Sequence, residues 1–385
     1  MKHKQKNIPK LLFYNLLLLA VVVGAGCNTY AQRGPSEPIR TVEQWRHRCG
    51  GKPVEHLVCS GPGVLRLITL LDASEKVIAV EQMEHGTDGV APYRRANPQY
   101  GELPIFGEGH GRDNVEVLLA MEPRPDVIIR MDNPGSGLDP AVLQERTGIP
   151  VVLIPYTDLA DNLSVLEKNL LFLGEILDRQ ERAARLTVFI KLQINELKQR
   201  TDPIPFQERH TAFLGGLSYR GTHGLNSTTS LYPPFDWLNI TNPAAAISNN
   251  AIGAQHIMVA PEQIIKWNPE FLFVDLGTLD FAGLETAAEV QTQAVFRSLD
   301  AVKSNQIYAL YPNNSYGTNF VSLLVNAWFI GKTVYPEHFT DVNFSQKADE
   351  ICRFMLNTTF DQMCPEHLKT RVHEKFLQTP PVQEH

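Results

Sequence analysis

Two stretches far apart in the chain carry the same order of polar and apolar positions. Residues 116–123 read Glu-Val-Leu-Leu-Ala-Met-Glu-Pro and open onto the apolar run Val127-Ile128-Ile129. Residues 262–269 read Glu-Gln-Ile-Ile-Lys-Trp-Asn-Pro and open onto Phe271-Leu272-Phe273-Val274. Each copy is an acidic residue, a turn or two of amphipathic helix, a proline stop and a buried strand. A helix–strand unit repeated at this distance predicts two similar α/β lobes rather than a short-period solenoid. A cleft between two such lobes is a favoured place for a ligand.

The pattern between the copies fills in both lobes. A strand at 56–59 ends in Ser60-Gly61-Pro62-Gly63, a helix follows over 64–71, and Val77-Ile78-Ala79-Val80 is the next strand, a βαβ order that calls for a parallel sheet. A long polar loop covers 81–113. A strand at 127–130 follows the first copy. Asp139-Pro140 is a helix cap and first-turn proline, Gly148 is its stop, and Val151–Ile154 is a strand. From Asn162 to Arg200 the apolar residues fall at helical spacing, which predicts two helices with a joint near Asp178. Asp202-Pro203-Ile204-Pro205 closes the second helix. Strands at 211–214, 271–275 and 307–310 then alternate with helices at 261–267, from near Tyr316 to Gly331, and at 346–357. The tail after Cys364 is polar and predicted to fray. The expected organisation is a signal segment over 1–27, a tether over 28–53, an N-terminal lobe over 54–178, a joining helix over 179–201, a C-terminal lobe over 207–358 and a tail over 359–385.

A chain of 385 residues has room for two lobes with real cores, and a net charge of −7 speaks against nucleic acid as the main partner. The N-terminus has a separate purpose. Lys2, His3, Lys4, Lys6 and Lys10 precede a 13-residue apolar run from Leu11 to Val23, too short to span a bilayer comfortably and the right length for a signal-peptide core. Gly24-Ala25-Gly26 before Cys27 resembles a bacterial lipoprotein signal with Cys27 lipidated, although Gly24 stands where an aliphatic residue is usual. Cleavage after Ala31 and an uncleaved anchor are the rival readings. All three place the body outside the cytoplasm. That address permits the disulfides Cys49–Cys59 and Cys352–Cys364, set against four free buried thiols.

Over residues 54–358 the chain resembles the periplasmic or lipid-anchored solute-binding proteins of ABC importers for iron chelates, haem and cobalamin. The likeness rests on the strand–Gly-Pro-Gly–helix unit at 56–70, Gly-Arg-Asp-Asn-Val-Glu at 111–116, the long helix between lobes, Ala-Pro-Glu-Gln-Ile at 260–264 and Gly-Lys-Thr-Val-Tyr-Pro at 331–336. The resemblance implies two Rossmann-like lobes with parallel sheets, joined by one rigid helix, with the ligand between them. It also implies a monomer with no intrinsic cofactor that docks on a permease and its ATPase through one surface glutamate per lobe, here Glu116 and Glu262. A first-turn glutamate is favoured by the helix dipole in any case, so each also has a purely structural explanation.

In parallel α/β lobes a ligand lies beyond the carboxyl ends of the strands. That rule selects Glu81 and His85 after the second strand, His110 and Arg112 in the loop before the first copy, and Tyr219, Arg220 and His223 after the strand at 211–214. It also selects Tyr316 after the strand at 307–310. Arginines fork onto carboxylates or an anionic chelate periphery, tyrosines stack or donate hydrogen bonds, and histidines meet metal or acceptor oxygens. Each single histidine is more readily explained as an ordinary loop residue. A bare ion would need four to six converging ligands, for which Glu81, His85, His110, His223 and Asp275 are the candidates, without diagnostic spacing. Enzyme signatures fail: Arg112 stands where a dinucleotide loop at 107–112 needs its third glycine, and Arg220 breaks a nucleophile elbow at 216–220. The expectation is therefore a receptor, not an enzyme, for a metal chelate, foremost a ferric siderophore. Haem, cobalamin and a bare ion are alternatives on the same scaffold. A two-lobed extracellular metalloenzyme or a lipid-anchored scaffold protein would be the outcomes from other classes.

Overall fold

The computed structural model describes residues 37–86, 89–133, 135–157, 159, 163–218, 223–247, 256–277, 296–369 and 372–375. The N-terminal lobe is a parallel sheet of β1 (Leu57–Ser60), β2 (Val77–Glu81), β3 (Ile105–Gly107), β4 (Val127–Asp132) and β5 (Val151–Pro155), in the order β3-β2-β1-β4-β5. Strand order reverses at β1, so the crevice beyond the ends of β1 and β4 is the switch point where such sheets take ligands. These strands are buried along their length, as a sheet covered by helices on both faces requires. The Asp139-Pro140 signal works as read: the Asp139 carboxylate accepts from Ala141 and Val142 N–H, and Gly148 closes the helix Pro140–Thr147 in the left-handed conformation.

The chain turns at Asp178, whose φ of 57° is left-handed, between the helices Leu163–Leu177 and Gln180–Thr201. The second has 22 residues, about 33 Å of rod. It buries Ala183, Leu186, Ile190, Ile194 and Leu197 on one stripe. The C-terminal lobe is built on β6 (Ala212–Gly215), β9 (Phe271–Asp275) and β10 (Ile307–Leu310), parallel in the order β10-β9-β6. A small antiparallel pair, β7 (Ser227–Thr228) with β8 (Ile257–Met258), lies beside β6. The almost wholly buried helix Phe320–Val334 fastens this lobe to the rod, Trp328 Nε1 donating to Gln193 Oε1 at 2.8 Å.

Several expectations change. The described part of the tether, residues 37–53, is structured. Ile39 pairs with Val152 beside β5, and the helix Val42–Cys49 buries Trp45, because a large aromatic there gains more from burial than a free linker gains from disorder. The loop at 81–113 contains the edge strand β3, too short for periodicity to reveal. The described part of the tail is packed as well. Met363, Cys364, Leu368 and Val372 are buried, Lys375 bridges to Tyr308, and His373 lies among Phe329, Phe344 and Phe360. The four cysteines after Cys27 are free thiols rather than two disulfides, and Cys352 meets Met363 Sδ at 3.9 Å. Tyr316 does not start the long helix, which begins at Phe320.

Contacts beyond the rod also tie the lobes together. Arg182 pairs with Asp72 at 2.9 Å and donates to Phe354 O at 2.7 Å, so one guanidinium holds the rod, the N-terminal lobe and the helix Phe344–Leu356. The Tyr311 hydroxyl donates to Val90 O at 3.1 Å from the opposite lobe. Among the described residues no helix is long and apolar enough to cross a membrane.

Candidate functional site

The carboxyl ends of the two sheets meet. Glu81, the last residue of β2, is 1% exposed. Its carboxyl accepts from Gly61 N–H at 3.0 Å and from the Tyr316 hydroxyl of the other lobe at 2.8 Å. The same Tyr316 oxygen accepts from His110 N–H at 2.6 Å, and the His110 and Tyr316 rings meet edge-on with centroids 5.0 Å apart. A second strut lies beside the first: Arg66 donates to Ser315 O at 2.9 Å. Tyr316 is held at φ 51°, an uncommon conformation for a bulky residue, so the loop presents its ring to the opposite lobe at some backbone cost.

Burial pushes the Glu81 carboxyl up to about 8, against the opposing pull of the Gly61 and Tyr316 donors. The unfolded carboxyl loses its proton near 4.5 and the folded one only near 8, so the folded state binds more protons in between. Its contribution to stability is present below about pH 4.5 and is lost as pH rises through about 8. Unfolding free energies from urea titration at pH 5 and pH 8.5 are expected to differ by more in the native protein than in Glu81→Gln, by an amount on the order of a few kcal/mol at most. Equal pH dependence in the two proteins would place the ionised form of Glu81 in the fold.

The loop from Gly107 to Asp113 forms the N-terminal rim. Gly109 has φ 129°, and a Cβ there would lie 2.6 Å from Met83 and 3.1 Å from the Tyr316 hydroxyl, so only glycine admits the interlobe contact. Beneath the loop lies a buried pair. Arg130 Nη1 meets Asp113 Oδ2 at 3.0 Å, Arg130 Nη2 donates to Ser136 O at 3.0 Å, and Ser60 Oγ donates to Asp113 Oδ1 at 2.6 Å. Glu84 is also enclosed, with the Tyr93 hydroxyl donating to it and Arg94 at 3.9 Å, and burial raises its carboxyl.

On the C-terminal rim Asp275 ends β9 and accepts from Gly277 N–H at 2.8 Å and Asn313 N–H at 3.0 Å. Burial pushes it up to about 7. Beyond β6, His223 and His256 lie with ring centroids 4.8 Å apart.

The sequence-selected residues therefore divide. Glu81, His110 and Tyr316 converge in one interlobe hydrogen-bonded group. His85 follows on the same loop, its N–H donating to Glu81 O at 3.1 Å. Arg112 is exposed and pairs with Glu108 at 2.7 Å. His223 stands on the opposite rim beside His256. Tyr219, Arg220 and Cys27 lie outside the described residues. Glu116 and Glu262 are both exposed, each the second residue of its helix, in Val115–Ala120 and Pro261–Trp267. Sequence reasoning missed Gly61, Asp113, Arg130, Ser227 and His256. The buried pair could have been suspected from a charged residue inside the apolar run of β4, whereas His256 has no neighbour in sequence that marks it.

Residues 57–313 match the family model described as periplasmic binding protein. No curated protein sequence matches the chain. Among solved structures, an ABC transporter solute binding protein from Sulfurospirillum deleyianum superposes with a TM-score of 0.61 at 22% identity, covering 83% of this chain and 94% of its own. The molybdate periplasmic binding protein MolA of Haemophilus influenzae gives 0.61 at 16% identity, covering 80% and 94%. The periplasmic heme binding protein HutB of Vibrio cholerae gives 0.54 at 22% identity, covering 73% and 99%. At these identities the structures speak for the two-lobed fold, while the family match spans most of the chain. The chain belongs to the periplasmic binding protein family, extracytoplasmic receptors that carry no intrinsic cofactor and deliver a transported solute to an ABC permease.

Proposed function

We propose that this protein captures a metal chelate between its lobes, foremost a ferric siderophore, and delivers it to its permease through Glu116 and Glu262, tethered to the membrane by a lipid on Cys27. The observation that carries the proposal is how the cleft carboxylates are already spent. Glu81 is held by Gly61 and Tyr316, Asp113 by Arg130 and Ser60, and Asp275 by Gly277 and Asn313. Burial raises Glu81 to about 8 and Asp275 to about 7, which favours their neutral forms, while the Asp113 carboxylate is taken up by its ion pair with Arg130. A hard bare cation needs ionised oxygens that converge on it, and these carboxyls are turned to protein donors instead. A chelate brings its own metal ligands and asks the protein for shape, hydrogen bonds and charge at its periphery. The glycine-rich rims, with His85, His110, Arg112 and His223, supply groups of that kind, and Tyr219 and Arg220 belong to the same set.

Titrating the mature chain, residues 28–385, with ferric siderophores, haemin, cobalamin and free metal ions while following tryptophan fluorescence tests the proposal. One intact chelate is expected to saturate the protein without a response to its bare metal. Saturation by a bare ion alone would overturn it.

A further inference from the structure

We propose that the Glu81 carboxyl and the His110 N–H form a slot for a phenolic hydroxyl of the cargo, and that Tyr316 fills this slot with its own phenol until a cargo displaces it. The slot deepens the chelate reading, on which it rests, by naming the chemistry of the cargo's periphery: a phenol, salicyl or catechol ring with a free hydroxyl.

A hydroxyl is satisfied when it both donates and accepts. The Tyr316 oxygen does both across the lobe boundary, donating to Glu81 Oε2 at 2.8 Å and accepting from His110 N–H at 2.6 Å. The half of this arrangement that belongs to the N-terminal lobe is fixed in place. Gly61 N–H, just past β1, donates to both Glu81 oxygens at 3.0 Å. Gly109, His110 and Gly111 have φ values of 129°, 53° and 76°, a tight turn that presents the His110 N–H to Tyr316. Ser136 Oγ donates to His110 O at 2.5 Å and Leu138 N–H to Gly111 O at 3.1 Å, which pins the turn. The slot suits a flat ring. The His110 imidazole meets the phenol edge-on at 81°, and Gly109 leaves open the space beside the oxygen, where a Cβ would come within 3.1 Å of it. The other half is less firmly placed. Tyr316 sits at the tip of a short hairpin closed by the Asn314–Thr318 bridge and by Ser315 N–H on Gly317 O at 3.1 Å, and Arg66 steadies it through Ser315 O at 2.9 Å. Its φ of 51° is costly for an aromatic residue, and the residue is only half-buried. Withdrawal of the tip relieves that strain, and a cargo phenol entering in its place remakes both hydrogen bonds. A cargo without a hydroxyl takes the Tyr316 donor away from Glu81, which is 1% exposed, and supplies none in return. The slot selects phenolic cargo by that difference, a factor of about ten for one hydrogen bond.

The test uses catechol, p-cresol and toluene as probes on the mature protein, followed by calorimetry and by NMR of isotope-labelled tyrosine rings and backbone amides. Excess catechol is expected to move the Tyr316 ring resonance of the native protein together with the amides of Gly61 and His110. Tyr316→Gly places at this φ the residue that adopts it freely and leaves the slot open. It should bind p-cresol, the lost side chain itself, about tenfold more tightly than toluene. Tyr316→Phe keeps the ring and removes the hydroxyl. It should bind catechol about tenfold more tightly than the native protein does, because the occupant is held by two hydrogen bonds fewer. Circular dichroism of each variant separates a changed slot from lost folding. Equal affinity of p-cresol and toluene for folded Tyr316→Gly, no gain in Tyr316→Phe, or a Tyr316 resonance that catechol leaves unmoved would overturn the proposal. Its failure is distinct from failure of the chelate reading. Saturation by a ferric hydroxamate or by haemin with the Tyr316 resonance unmoved would remove the slot and keep the chelate receptor. Displacement of Tyr316 by catechol, with no response to ferric siderophores, haemin or cobalamin, would keep the slot and remove the metal from the cargo.

Discussion

Reversing both surface glutamates, Glu116→Lys with Glu262→Lys, is expected to abolish solute uptake in cells while leaving the affinity of the purified protein for its cargo unchanged. Each glutamate is the second residue of a short helix that leads into a core strand, β4 in one lobe and β9 in the other. The first helical turn holds a carboxylate in the field of the helix dipole and points it away from the sheet. Glu116 shows 79% of its side chain to solvent, and its ion pair with Arg146 at 3.3 Å is itself exposed and easily surrendered. A basic docking surface on the permease would meet two such carboxylates, one per lobe. Replacing attraction by like-charge contact costs several kcal/mol per site, enough to remove productive encounters at cellular concentrations. Each single reversal is expected to reduce uptake strongly and the double to eliminate it. Because both carboxylates are exposed to solvent, a cargo titration is expected not to register the change. Loss of cargo affinity in the double variant would remove the docking assignment, and normal uptake would do so more directly.

The largest loss of stability is expected from Arg130→Met. Arg130 and Asp113 show 3% and 0% of their side chains to solvent. Removing one member of a buried pair costs about 3–5 kcal/mol because the other charge is left without a partner. Asp113 would retain the hydrogen bond from Ser60, and burial already raises its carboxyl in the native protein. Asp113 would then fold in its protonated form, so the deficit of Arg130→Met should be smaller at pH 5 than at pH 8, since less free energy is needed to protonate it. The double variant Arg130→Met with Asp113→Asn should recover much of the loss, because replacing both members leaves no buried charge. Urea midpoints of the three proteins check this, and equal losses in the single and double variants would show that the contacts of Arg130 to Ser136 and to the rim loop, rather than the charge, carry the cost. The same substitution should loosen the rim, since Arg130 lies directly under Gly111, where a Cβ would fall 2.4 Å from its guanidinium.

Much of this protein is determined by local pattern. Short apolar runs bounded by glycine or proline fix strands such as β4 and β9 within a residue or two, and Asp139-Pro140 with Gly148 fixes a helix at both ends. Asp178 marks the joint before the rod because a left-handed residue must separate two helices that fold back on each other. The repeated glutamate–helix–proline–strand phrase carries the duplication of the lobes. These signals are legible because their causes, side-chain periodicity and backbone conformation, act within a few residues.

What remained hidden depends on atoms that only the folded chain brings together. Trp45 turns an expected tether into a packed helix, and Leu368 and Val372 turn an expected frayed tail into part of the core, because burial depends on a partner surface that the local sequence does not contain. Tyr316 reads as a helix start or a ligand contact, yet it spans 235 positions to Glu81. The raised Glu81 carboxyl follows from burial that its neighbours in sequence do not mark. His223 and His256 lie on separate strand connections and meet only because β7 pairs with β8. The sequence by itself determined the two lobes, the rod between them and the rims that a ligand must cross. The tertiary structure decided which rim residues hold the lobes together and which face outward, since desolvation and long-range hydrogen bonding are set by three-dimensional proximity rather than by spacing along the chain.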